Sequence, residues 1–143
     1  MSALLEVIAA SMAEKIRIVA DDETEHGQRI VLNLGHTVGH ALEAAGNYET
    51  FLHGEAVGIG LVLEHAFGVR KGWTDAAVPD LVRAQLRALG LPTEVDAKML
   101  ARAALLLEKD KKRKRSAIKL PLLETPGIVV VREVEIDELM REI

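Results

Sequence analysis

Arg29-Ile30-Val31-Leu32-Asn33-Leu34-Gly35-His36-Thr37-Val38-Gly39-His40, followed by His53-Gly54-Glu55-Ala56-Val57-Gly58-Ile59-Gly60, is the stretch on which the reading of this chain turns. It holds three of the five histidines. His36 and His40 are four residues apart, so on a helix they share a face, and a chain that turns back brings His53 toward them. Three imidazoles converging on one point can grip a divalent metal. A lone histidine on an apolar helix is more often a hydrogen-bonded core residue, and Asn33 and Thr37 also read as helix caps. Glu55 also suits the positive end of a helix that begins near Gly54.

Outward from this stretch the spacing is helical almost everywhere. Leu4, Leu5, Ile8, Ala9, Met12, Ile16 and Val19 give an amphipathic first helix over residues 3–20. Asp21 to Gly27 reads as an acidic connection, and the segment Asn33 to Ala45 as a second helix closed by Gly46. A third helix, Gly54 to Val69, is apolar on most faces and is expected at the centre of a bundle. Thr74-Asp75 and Asp96 read as caps of helices over 75–89 and 96–108, separated by Gly90-Leu91-Pro92. Ala117 to Leu123 and Gly127 to Val134 then form a β-hairpin about Glu124-Thr125-Pro126-Gly127, with Pro121 marking an edge or irregular strand, before a short helix from Ile136. The expected fold is mainly α, a multi-helix bundle with a small C-terminal hairpin, in one domain over 1–143. Trp73 and Tyr48 are expected to anchor packing.

Composition narrows the chemistry. The chain has 143 residues and no cysteine, so disulfides and thiolate metal sites are excluded and any metal must take nitrogen and oxygen ligands. The net charge of −4 gives no general attraction to nucleic acid or anionic membrane. Lys109-Asp110-Lys111-Lys112-Arg113-Lys114-Arg115 is basic but has no interleaved aromatic residue to stack on bases, and reads as a solvated helix end. No apolar run reaches the ~20 residues of a membrane span. Met1 to Ala13 ends in a cleavage-like Ser11-Met12-Ala13, yet it lacks a basic start and contains Glu6. A soluble, cytoplasmic protein with neither a nucleic-acid nor a membrane partner is expected. His26 and His65 receive no role.

Leu32 to Glu43 together with Leu52 to Gly60 closely resembles the C-terminal domain of the 3-dehydroquinate synthase family. Lys15, Val19, Asp22-Glu23-Thr24-Glu25 and Arg29 resemble that family's approach to the histidine motif. Asp110-Lys111-Lys112 resembles its lysine-bearing loop. The resemblance implies conversion of 3-deoxy-D-arabino-heptulosonate 7-phosphate, a phosphorylated sugar acid, into 3-dehydroquinate with loss of phosphate, in the shikimate pathway. Family members use bound NAD to oxidise a hydroxyl transiently and zinc as a Lewis acid.

By resemblance His36 and His53 are metal ligands, and His40, Lys15 and Asn33 are catalytic. Arg29, Lys111 and Lys112 would bind substrate, where Arg and Lys suit its carboxylate and phosphate. The family's third ligand is a glutamate upstream of this chain. Glu43 and Glu55 are the nearest carboxylates within it, and the resemblance gives neither the ligand role. No G-x-G-x-x-G motif occurs, so NAD is expected on a nucleotide-binding domain outside the chain, and the chain by itself is expected to be inactive. A homo-oligomer is also expected.

Three other readings compete. A related sugar-phosphate cyclase or a metal-dependent alcohol dehydrogenase uses similar histidine spacing, although an uncharged alcohol needs neither Lys15 nor Arg29. A non-catalytic helical module that binds a metal or a partner is the third.

Overall fold

The computed structural model describes residues 3–22, 27–111 and 117–143, with only the backbone at 28 and 108–111. The chain divides into two compact units, Met1–Asn33 and Leu34–Ile143.

The first unit holds helix α1, Ala3–Asp21, and a 3-10 helix, Gln28–Asn33. Asp22 joins them locally, since its Oδ2 accepts from the backbone N–H of Gly27 at 2.8 Å and of Arg29 at 3.0 Å. On α1, Leu4, Leu5, Ile8, Met12 and Ile16 are exposed and Ile18 is buried.

The second unit contains α2 His36–Ala45, α3 His53–Arg70, α4 Val78–Ala88, α5 Ala97–Lys111, β1 Ala117–Thr125, β2 Ile128–Glu135 and α6 Ile136–Glu142. Helix α3 is its axis, as its all-round apolar sequence requires, and it packs against α2, α4, β1 and α6. Ile59, Phe67, Leu42, Leu120, Leu122 and Leu139 are fully buried in a shared core. The strands pair antiparallel, from Ala117 opposite Glu135 to Leu123 opposite Val129. Because the sheet has two strands, buried Pro121 breaks no central ladder.

Helices α2 and α3 approach at the level of their backbones. A side chain at Gly60 would overlap the carbonyl of Gly35, and one at Gly39 would meet the Val57 Cα at 3.0 Å. Gly35 also takes φ +73°, a left-handed conformation that costs glycine little. That turn delays the second helix, which starts at His36 instead of Asn33. The N-cap position is Gly35, which has no side chain to offer, and Thr37 lies inside the helix.

The cap comes from α3. Fully buried Glu64 accepts from the N–H of Gly35 at 3.0 Å through Oε2 and of Val38 at 2.8 Å through Oε1. These are donors that a helix start leaves without intrahelical partners. Burial pushes the Glu64 carboxyl up to about 8, against the downward pull of the Val38, Gly35 and Thr37 N–H groups.

The neighbouring His65 is also buried and ties α3 to the hairpin. Its Nδ1–H donates to the Leu61 carbonyl at 2.6 Å, and its Nε2 accepts from the Leu123 N–H at 2.9 Å. A ring held this way is neutral, and burial lowers its pKa, with the Leu61 bond opposing that shift. Lys71 bridges to Glu138 at 2.7 Å and Glu142 at 2.6 Å, and Arg70 donates to the Glu142 carbonyl, fixing α6 on α3.

The remaining elements follow their local signals with two corrections. Asp96 Oδ1 accepts from Lys98 and Met99 N–H at 2.9 Å each, so it caps α5 as expected. Helix α4 begins at Val78, later than expected, because Asp75 spends its Oδ1 on the Ala77 N–H in a turn before the helix. Trp73 packs edge to face on Phe67 with centroids 5.9 Å apart. Tyr48 does not anchor packing. It is 73% exposed and, with Asn47, takes the left-handed conformation in the turn after Gly46.

Two outcomes follow for stability. Glu64→Ala strands buried N–H groups at the start of α2 and should cost about 3 kcal/mol or more in urea unfolding; a change below about 0.5 kcal/mol would contradict the capping role. The lowered His65 pKa means that the unfolded state takes the proton first on acidification. Parent stability minus that of His65→Gln should therefore be greatest above about pH 6.5 and shrink as pH falls through the folded pKa. A pH-independent difference would contradict it.

Candidate functional site

His36 opens α2, His40 lies one turn on, and His53 opens α3 after a connection that folds back over them. The connection is pinned by Tyr48 N–H donating to the Glu43 carbonyl at 2.8 Å and by the Thr50 hydroxyl donating to the Gly46 carbonyl at 3.1 Å. At its end Glu55 Oε2 accepts from the Leu52 N–H at 2.8 Å, so Glu55 has the capping role that its position allowed.

The three rings converge. Centroids lie 5.3 Å apart for His36 and His40, 5.2 Å for His36 and His53, and 5.8 Å for His40 and His53. One nitrogen from each lies within 4.8 Å of the others. Bonds of about 2.0–2.1 Å to a tetrahedral zinc would set two nitrogens about 3.4 Å apart. His40 and His53 are exposed, and modest side-chain rotations there would close the difference.

Hydrogen bonds select the nitrogens. His36 Nδ1 lies 2.9 Å from the Leu34 carbonyl, which can only accept, so Nδ1 carries the proton and Nε2 keeps a free lone pair. His53 Nδ1 lies 3.1 Å from Glu43 Oε1, with the same consequence. Nε2 atoms of two such imidazoles beside a third imidazole suit a borderline-soft divalent ion such as zinc. Among the described residues these histidines are the group of three or more potential ligands able to hold a metal.

The other candidates are placed separately. Lys15 is exposed on α1, and Arg29 and Asn33 are half-buried on the 3-10 helix, all in the first unit. Lys111 is the last residue of α5, and its side chain, like Lys112 and His26, lies outside the described residues. Glu64 receives no role from the sequence, because its contact with α2 spans 26 to 29 residues that no local pattern links. Glu43 was noted only for its proximity. Its place one turn beyond His40, on the same face, was the available signal.

No described helix is long and apolar enough to cross a membrane. Residues 1–113 match the model of the 3-dehydroquinate synthase C-terminal domain. The chain is 43% identical over 129 residues to 3-dehydroquinate synthase from Halorhodospira halophila, covering 90% of this chain and 36% of that protein. It is 46% identical over 134 residues to the enzyme of the same name from Rhizobium etli, covering 89% and 35%. It thus spans about a third of the length of these curated relatives.

Among solved structures, the 2-epi-5-epi-valiolone synthase ValA from Streptomyces hygroscopicus subsp. jinggangensis 5008, with NAD+ and Zn2+ bound, superposes with a TM-score of 0.76. That likeness, at 23% identity over 96% of this chain and 38% of ValA, concerns the fold. With a matching family model over most of its length and relatives this similar, the chain belongs to the 3-dehydroquinate synthase family and carries the fold of its C-terminal domain.

Proposed function

We propose that this chain is the metal- and substrate-binding part of a 3-dehydroquinate synthase, a carbon–oxygen lyase that converts 3-deoxy-D-arabino-heptulosonate 7-phosphate into 3-dehydroquinate with release of phosphate. The observation that carries the reading is the convergence of His36, His40 and His53 with their nitrogens within 4.8 Å. Two of these rings have Nδ1 engaged by an acceptor, which orients Nε2 outward for a ligand.

His36 and His53 would hold zinc, together with a carboxylate from the nucleotide-binding domain that lies outside this chain. When bound, zinc supplies Lewis acidity toward substrate hydroxyls. His40, beside both ligands, is assigned hydrogen bonding to the substrate and proton transfer. Lys15 and Arg29 suit the carboxylate and phosphate of the substrate, as does the Lys111–Lys112 pair, and Asn33 offers a hydroxyl both a donor and an acceptor. NAD belongs with the nucleotide-binding domain, and the isolated chain is expected to be inert.

Two measurements test this. In a calorimetric titration with zinc, His36→Ala and His53→Ala should each weaken binding by at least about tenfold relative to the parent chain; variants that bind zinc like the parent would remove the metal assignment. The chain incubated with NAD, zinc and the heptulosonate phosphate should release no phosphate. Joined to the nucleotide-binding domain of a family member it should release phosphate, and His36→Ala should abolish that. Turnover by the chain alone would overturn its dependence on the second domain. Turnover only with another sugar phosphate would overturn the substrate assignment.

A further inference from the structure

Glu43 lies on the stripe of α2 that carries the two histidines, since His36, His40 and Glu43 follow at the i, i+4, i+7 spacing of one helix face. Its side chain is only 12% exposed, whereas that of His53 is 57% exposed. A half-sunk carboxylate therefore holds a ring that solvent would otherwise leave free to turn. Its Oε1 lies 3.1 Å from His53 Nδ1 and its backbone carbonyl accepts from the Tyr48 N–H at 2.8 Å, so one residue fixes both the connection leading to His53 and the ring itself. Glu43 is not in the cluster of groups able to share a metal, which holds the three histidines alone among the described residues. Its Oε1 is engaged with His53 Nδ1.

We propose that Glu43 is a positioning residue for the metal centre: it holds His53 as the Nδ1–H tautomer, with the Nε2 lone pair turned toward His36 and His40. The metal part of this inference rests on the function proposed above, whereas the tautomer part stands on the metal-free chain alone. The physical ground is general. A carboxylate behind an imidazole fixes which nitrogen carries the proton, orients the ring, and makes the opposite nitrogen a better donor. His36 obtains the first two effects from the Leu34 carbonyl, an uncharged acceptor. His53, the more exposed of these two rings, has the charged one.

The test compares the parent chain with Glu43→Ala and Glu43→Gln, with circular dichroism to confirm that each folds. In two-bond 15N–1H spectra of the zinc-free chain at about pH 8, where imidazoles are neutral, His53 of the parent should be mainly the Nδ1–H form. In Glu43→Ala it should revert to the Nε2–H form favoured by an imidazole in water. Glu43→Gln, whose amide oxygen still accepts, should retain the parent tautomer. Zinc affinity should fall about 10–100-fold in Glu43→Ala and by less in Glu43→Gln.

An unchanged His53 tautomer in Glu43→Ala overturns the proposal, and so does a tautomer that switches while zinc affinity stays at the parent value. Zinc binding by the parent chain that is indifferent to His36→Ala would overturn the metal reading instead. The tautomer result would still decide the role of Glu43.

Discussion

Everything the second unit presents at its candidate site depends on how closely α2 and α3 approach. Their contact is made by backbone, with Gly60 against the Gly35 carbonyl and Gly39 against Val57. The approach lets a side chain from the middle of α3 reach the first turn of α2. There Glu64 accepts the N–H groups of Gly35 and Val38 that the helix start leaves without partners. Burying a carboxyl group is costly unless it is hydrogen-bonded, and here the α2 terminus supplies the donors. The carboxyl and the helix start thus satisfy one another, which fixes where α2 begins and where His36 stands.

The same economy of groups shapes the histidine cluster. Each of two rings has its Nδ1 engaged by an acceptor that comes with the local fold: a carbonyl two residues upstream for His36, and a carboxylate on the facing helix for His53. Ligand rings that are aimed before the ion arrives spare the side-chain entropy of ordering them afterwards. His65 shows the contrasting use of the same side chain. Both of its nitrogens are consumed by backbone groups of Leu61 and Leu123, so it is a structural pin between helix and hairpin and has no lone pair to offer.

The match to the 3-dehydroquinate synthase C-terminal domain takes in α2 and α3, which carry the three histidines. The chain corresponds to about a third of its curated relatives. The likeness to a valiolone synthase shows that the same helical fold with a hairpin serves an enzyme with a different product name, and ValA carries NAD+ and Zn2+ in its solved structure. Fold alone therefore does not decide the reaction. That choice falls to the side chains that meet the substrate.

Much of this was legible in the sequence because the signals were local. Helical periodicity placed α1, α3 and α5 to within a few residues, Asp96 announced its cap, and Glu124-Thr125-Pro126-Gly127 marked the hairpin turn. The spacing of His36 and His40 followed from the 3.6-residue turn alone. Where α2 starts was not legible, because Gly35 turns left-handed and Glu64 supplies the cap from 29 residues away in sequence. Nor was the partner of His53, since its bond to Glu43 forms only when two helices and their connection close on one another. Tyr48 was misread because an aromatic residue usually packs, whereas the turn after α2 leaves it in water. By itself the sequence determined which residues could form helices, which side chains could bind a metal and which family they resemble, since those properties belong to residue types and short spacings. Only the tertiary structure decided that Glu43 engages Nδ1 of His53 and that Glu64 caps α2, because both depend on contacts between segments that no periodicity connects.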